Sequence, residues 1–113
     1  MAGALGALTR YAIGQAVGVR SFPWATLGIN VTGSYALALV LTVALRRHWP
    51  EHVTIPLGTG FLGAYTTFST FSYESMTLLR TDRTGTALAY VACSVVFGVA
   101  GAALGLGTGR AIT

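Results

Sequence analysis

The sequence predicts an all-α integral membrane protein with four transmembrane helices per subunit, a broken third helix and an antiparallel, dual-topology dimer. Three observations lead there: a near absence of charge, four apolar segments of spanning length, and one segment crowded with hydroxyls. Of 113 residues, 53% are hydrophobic and only 9% charged, against about 25% charged in an ordinary soluble domain. The ten charges are seven Arg, two Glu and one Asp, with no Lys, and the mean hydropathy is +0.66. Such a chain reads as one compact membrane domain without a soluble appendage.

The apolar segments cover roughly 1–19, 25–45, 54–79 and 86–109, which makes 1–113 a single four-helix transmembrane domain. Each approaches the ~20 helical residues that cross a hydrocarbon core of about 30 Å. The links between them are short and polar. Pro23 and Pro50 stand where helices restart, and Trp24 and Trp49 where interfacial belts place tryptophan. The N-terminus has no basic n-region and the later segments are equally apolar, which argues against a signal peptide.

The first segment is short, and Arg10 falls near its middle. An isolated arginine at the bilayer centre costs at least ~2.5 kcal/mol on insertion scales. Either Arg10 faces a wet vestibule, or the chain starts upstream and Arg10 lies nearer one end. With four crossings, Arg46, Arg47 and Arg110 share one side, and Arg20, Arg80 and Arg83 the other. This balance gives no positive-inside preference. It fits insertion in both orientations and a dimer with its two-fold axis in the membrane plane, as inverted repeats achieve within one chain.

Glycine spacing sets how closely helices approach. Gly14 and Gly18 are four apart, as are Gly101 and Gly105, with Gly98 preceding them. Small residues at this spacing predict tight helix packing.

The third segment holds the anomaly. Gly60–Glu74 sets Thr66, Thr67, Ser69, Thr70 and Ser72 around Phe68 and Phe71, after Gly58, Gly60 and Gly63. Glycine weakens a helix and hydroxyls compete for its backbone bonds. Two readings stay open: a kinked helix whose hydroxyls back-bond to its own carbonyls, or a break near 63–67 that frees carbonyl oxygens for a hard cation such as Na⁺. Phe68 and Phe71 either pack or turn their electropositive edges to an anion. Asn30 either bonds helix to helix or donates into a pore. Tyr90 and Ser94, four apart, share a helix face and supply hydroxyl donors, although Tyr90 alone could anchor at the interface. Glu74 is the one carboxylate within an apolar segment, and its flanks Ser72, Tyr73 and Ser75 suggest a capped interfacial position.

Other chemistries lack apparatus. There is no His/Cys cluster, catalytic dyad or phosphate-cradling glycine loop, so enzyme activity is not expected. No basic run suggests nucleic acid. His48 and His52 are expected in a loop, and the lone Cys93 as a packing residue.

The stretch with its Thr66-Thr67-Phe68-Ser69-Thr70-Phe71 core and following Glu74 resembles the signature of the Fluc or CrcB fluoride channel family. Gly6–Tyr11, Pro23–Ser34 and Tyr90 through Ser94 to Gly98 resemble further pieces of that family in order and spacing. The resemblance implies a channel for passive, fluoride-selective efflux, multi-pass in the plasma (inner) membrane of a prokaryotic cell. It implies pairing with a second copy of the chain, or with a paralogue. A structural, untransported Na⁺ would sit at the dimer centre, held by the carbonyls of Gly63 and Thr66. Phe68, Phe71, Asn30, Tyr90 and Ser94 would line the fluoride pathway and Arg10 a vestibule. Gly98 departs from the family's pattern, which often has a hydroxyl there. The alternative is a small dual-topology drug/proton antiporter, which should need an intramembrane carboxylate that the first helix lacks.

Overall fold

The computed structural model describes residues 1–113, all helix and connecting turn. In chain order it has α1 (Ala2–Val17), α2 (Trp24–Arg46), α3 (Glu51–Ile55), a π-helical stretch (Pro56–Leu62), one turn of helix as α4 (Gly63–Tyr65), α5 (Phe68–Arg80) and α6 (Thr84–Ile112). The third helix starts at Glu51 and so takes in His52, which is helical and not in a loop. Pro56 has no N–H to donate to the preceding turn, and there the ladder widens into the π register, with Gly63 N–H reaching Gly58 O.

Only α2 and α6 are both long and apolar enough to cross a bilayer unaided. The 16 residues of α1 span about 24 Å at 1.5 Å per residue, short of a ~30 Å core. The molecule is elongated, 49 × 28 × 20 Å.

The α2 and α6 pair is the spine, and glycine makes it possible. A Cβ added at Gly105 would lie 2.2 Å from Tyr35 O, and one at Gly101 3.0 Å from Val31 O. Gly109 likewise admits Thr42, at 2.7 Å. A similar approach seats α1 on the π-helical stretch, where a Cβ on Gly6 would meet Phe61 O at 2.2 Å. Within one subunit Gly14 and Gly18 form no such seam. A Cβ on Gly14 meets nothing within 4 Å, and Gly18 lies outside the helix at φ 76°, where it ends α1. Gly98 is also free of neighbours.

Four of the seven arginines are tied to the two ends of the molecule by hydrogen bonds. At one end Arg46 donates to Thr113 Oγ1 (2.6 Å) and Arg47 to Ile112 O (3.3 Å). At the other, Arg83 donates to Ser21 O and Arg20 to Val17 O.

Candidate functional site at the break in the third helix

Between α4 and α5 the backbone leaves helical geometry for two residues, Thr66 (φ −80°, ψ 157°) and Thr67 (φ −151°, ψ 117°). The glycines before them stay helical, so hydroxyl chemistry and not glycine freedom marks the break. Thr67 is the N-cap of α5: its Oγ1 accepts from Thr70 N–H at 3.2 Å. The signal was a Thr three residues ahead of another polar residue at a helix start.

Asn30 of α2 grips the same residue from the other side. Its Nδ2 donates to Thr67 O (3.1 Å), and its Oδ1 accepts from Thr67 N–H (2.8 Å). This two-point clamp is the helix-to-helix reading of Asn30. One amide hydrogen of Asn30 remains, and the residue also lines the groove described below.

These bonds have a consequence for the carbonyls. In a continuous helix Gly63 O would accept from Thr67 N–H, and Thr66 O from Thr70 N–H. Both donors are diverted, one to Asn30 and one to Thr67 Oγ1. Gly63 O and Thr66 O are therefore released at the break. Two neutral oxygens suit a hard, oxygen-seeking cation but fill only part of a shell of about six. No group of three or more His, Cys, Asp or Glu offers an alternative metal site.

Arg10 closes the broken end. Its Nε donates to Ala64 O (3.2 Å) in the last turn of α4, where the helix dipole is negative. Arg10 also lines a cavity of about 420 Å³ with Tyr11, Gln15, Thr26, Thr67 and Thr70. Thr26, only 6% exposed, belongs to this polar wall, although no local sequence pattern marks it.

On the far side of Thr67 lies a groove of about 320 Å³, whose walls include Asn30, Ser34, Thr67, Phe68, Phe71 and Ser94. Ser94 Oγ is buried there without a hydrogen-bond partner. A buried hydroxyl left unmatched costs on the order of 1–3 kcal/mol. Phe68 is 79% exposed, and its ring lies 5.8 Å from that of Phe71. Gly98 completes the groove wall.

Tyr90 is fully buried at 0% exposure, which overturns its reading as an interfacial anchor. Its ring packs on Phe71 (5.2 Å) and edge-on to Phe22 (5.5 Å), and its hydroxyl donates to Glu74 Oε1 at 3.0 Å. Glu74 thus has a partner on α6 and is not capped by its own flanks. Ser75 instead bonds to Phe71 O. Glu74 carried no sign of this in sequence, because its partner lies 16 residues away on another helix.

Fold and site together define a small all-helical membrane protein with polar cavities around an interrupted helix. The chain belongs to the CrcB family: the family model described as CrcB-like protein, Camphor Resistance (CrcB), matches residues 1–106. It is 47% identical over 109 residues to the fluoride-specific ion channel FluC of Deinococcus radiodurans, covering 93% of this chain and 86% of that one. Over 110 residues it is 42% identical to the protein of the same name in Bordetella petrii, covering 96% and 86%. A further relative of that name, in Acidobacterium capsulatum, is 42% identical over 121 residues, covering 99% and 93%.

Proposed function

We propose that this chain is a fluoride-selective ion channel, not an enzyme, that lets cytoplasmic fluoride leave passively across the cell's inner membrane. The observation that carries this reading is the buried, partnerless hydroxyl of Ser94 in a groove walled by Phe68 and Phe71. Relatives at 42–47% identity bear the name fluoride-specific ion channel, which supports conduction over proton-coupled drug exchange.

The chemistry of the groove suits a small, strongly hydrated anion. Such an ion must trade its water for donors that bind firmly enough to admit it and weakly enough to release it. Ser94 offers a neutral hydroxyl, Asn30 its remaining amide hydrogen, and Phe68 and Phe71 their electropositive ring edges. Tyr90 orients Phe71 by direct packing and extends the polar track towards Glu74. Arg10 holds a wet vestibule beside Thr67 and Thr70.

The working unit is an antiparallel homodimer of four-crossing subunits. The 79% exposure of Phe68 in one subunit and the even split of arginines between the two ends support this. Gly63 O and Thr66 O from both subunits would hold a structural Na⁺ at the dimer centre. When bound, that ion would neutralise four released carbonyl dipoles and lock the two breaks together.

The test is fluoride efflux from liposomes holding the purified chain, with chloride as control and Na⁺ omitted in parallel. Fluoride should leave down its gradient without an imposed proton gradient, chloride should not, and Na⁺ removal should lower flux. Efflux that needs a proton gradient, or no fluoride flux, would overturn the reading. Phe71→Ile should cut fluoride flux about tenfold or more while dimer assembly, measured by size-exclusion with light scattering, persists; tenfold corresponds to ~1.4 kcal/mol, within the worth of one aromatic contact.

A further inference from the structure

A second polar cavity, of about 320 Å³, lies at the end of the molecule where α1 hands over to α2 and α5 to α6. Arg20, Arg83, Glu74, Ser21, Thr77 and Thr81 form most of its wall, so two guanidinium charges face one carboxylate there. Arg20 and Arg83 each spend one donor on a main-chain carbonyl, Val17 O and Ser21 O. These bonds anchor both side chains to the α1–α2 connection and leave most of each guanidinium fork unclaimed.

The cavity is joined to the central groove only by a chain of side-chain contacts. Glu74 in its wall accepts from Tyr90, Tyr90 packs on Phe71, and Phe71 walls the groove. An anion moving along that line would meet the Glu74 carboxylate head-on unless its charge were offset. We propose that this cavity is an anion antechamber, in which Arg20 and Arg83 outweigh Glu74 and concentrate the conducted anion at this mouth of the path. The proposal rests on the groove being the anion pathway. Clefts lined with one sign of charge raise local counter-ion concentration and entry rates by about 10–10³-fold, and salt removes the effect.

The experiment is fluoride flux through the reconstituted full chain, parent against Arg20→Gln/Arg83→Gln and against Arg20→Lys/Arg83→Lys. Each is measured at about 0.01 M and about 0.3 M ionic strength, where the Debye length falls from about 30 Å to below 10 Å. The Gln pair should lose about tenfold at low salt and recover towards the parent at high salt, while the Lys pair keeps most of the low-salt flux. An equal loss at both salts, or a Lys pair as poor as the Gln pair, would assign the arginines to loop structure and overturn the antechamber. The series is run in zwitterionic and in anionic lipid. A salt-dependent difference confined to anionic lipid would mean that the arginines hold lipid phosphate, which also overturns it. A parent chain without fluoride flux would instead strike the conduction reading, and the antechamber with it.

Discussion

The seam between α2 and α6 and the break in the third helix solve opposite problems with the same small residues and hydroxyls. At the seam, glycine removes side chains so that two apolar helices touch backbone to backbone: Gly105 on Tyr35 O, Gly101 on Val31 O. At the break, the backbone parts, and every exposed polar atom needs a partner. Thr67 caps α5, Asn30 clamps Thr67, and Arg10 covers Ala64 O. The seam tolerates no added atom. The break tolerates no removed hydrogen bond. The atoms left unmatched, Ser94 Oγ and the released carbonyls of Gly63 and Thr66, are those the proposed function assigns to ions.

The sharpest way to break this contrast is Asn30→Leu. It deletes two bonds and strands Thr67 N–H, which should cost about 2–4 kcal/mol in stability and abolish flux. Denaturant unfolding in detergent, paired with liposome efflux, reads both. If stability and flux were unchanged, the break would not depend on the clamp.

Gly105→Ala should cost about 1–3 kcal/mol, because the neighbour it strikes is the main-chain Tyr35 O, which cannot swing aside. Gly107→Ala, with nothing within 4 Å, is the control on the same helix. It should be neutral or stabilising by up to ~1 kcal/mol through helix propensity. Equal effects at the two positions would remove glycine packing as the reason for the seam.

Ser94→Ala separates function from stability. Removing a buried hydroxyl that has no protein partner should leave stability level or raise it by about 1 kcal/mol, while flux falls about tenfold, the worth of one hydrogen bond to a charged group. A loss of stability would show that the hydroxyl serves the fold.

The smallest effect is expected of Gly98→Ser. Its Cβ has open space and the residue lines the groove, so stability should move by less than about 0.5 kcal/mol. Flux should hold or rise, since the change adds a donor beside Ser94. A clear loss would mean that the open space at Gly98 is itself needed.

By itself the sequence determined the solvent and the period. Ten charges in 113 residues cannot coat a soluble domain, and long apolar runs between prolines and arginines can only be helices in lipid. It also located the polar anomaly, because hydroxyls crowded into an apolar segment are visible without coordinates; the backbone departs from the helix inside that stretch, at Thr66 and Thr67. Only tertiary structure decided what each polar group does. Asn30 could be a clamp or a donor until Thr67 stood beside it, and Tyr90 an anchor until Glu74 and Phe71 enclosed it. Gly14 and Gly105 sit in the same spacing pattern, yet one faces open space and the other a carbonyl. Periodicity is local and survives in the chain. Hydrogen-bond partnership across helices depends on rotation and register between elements far apart in sequence, which local residue patterns do not encode.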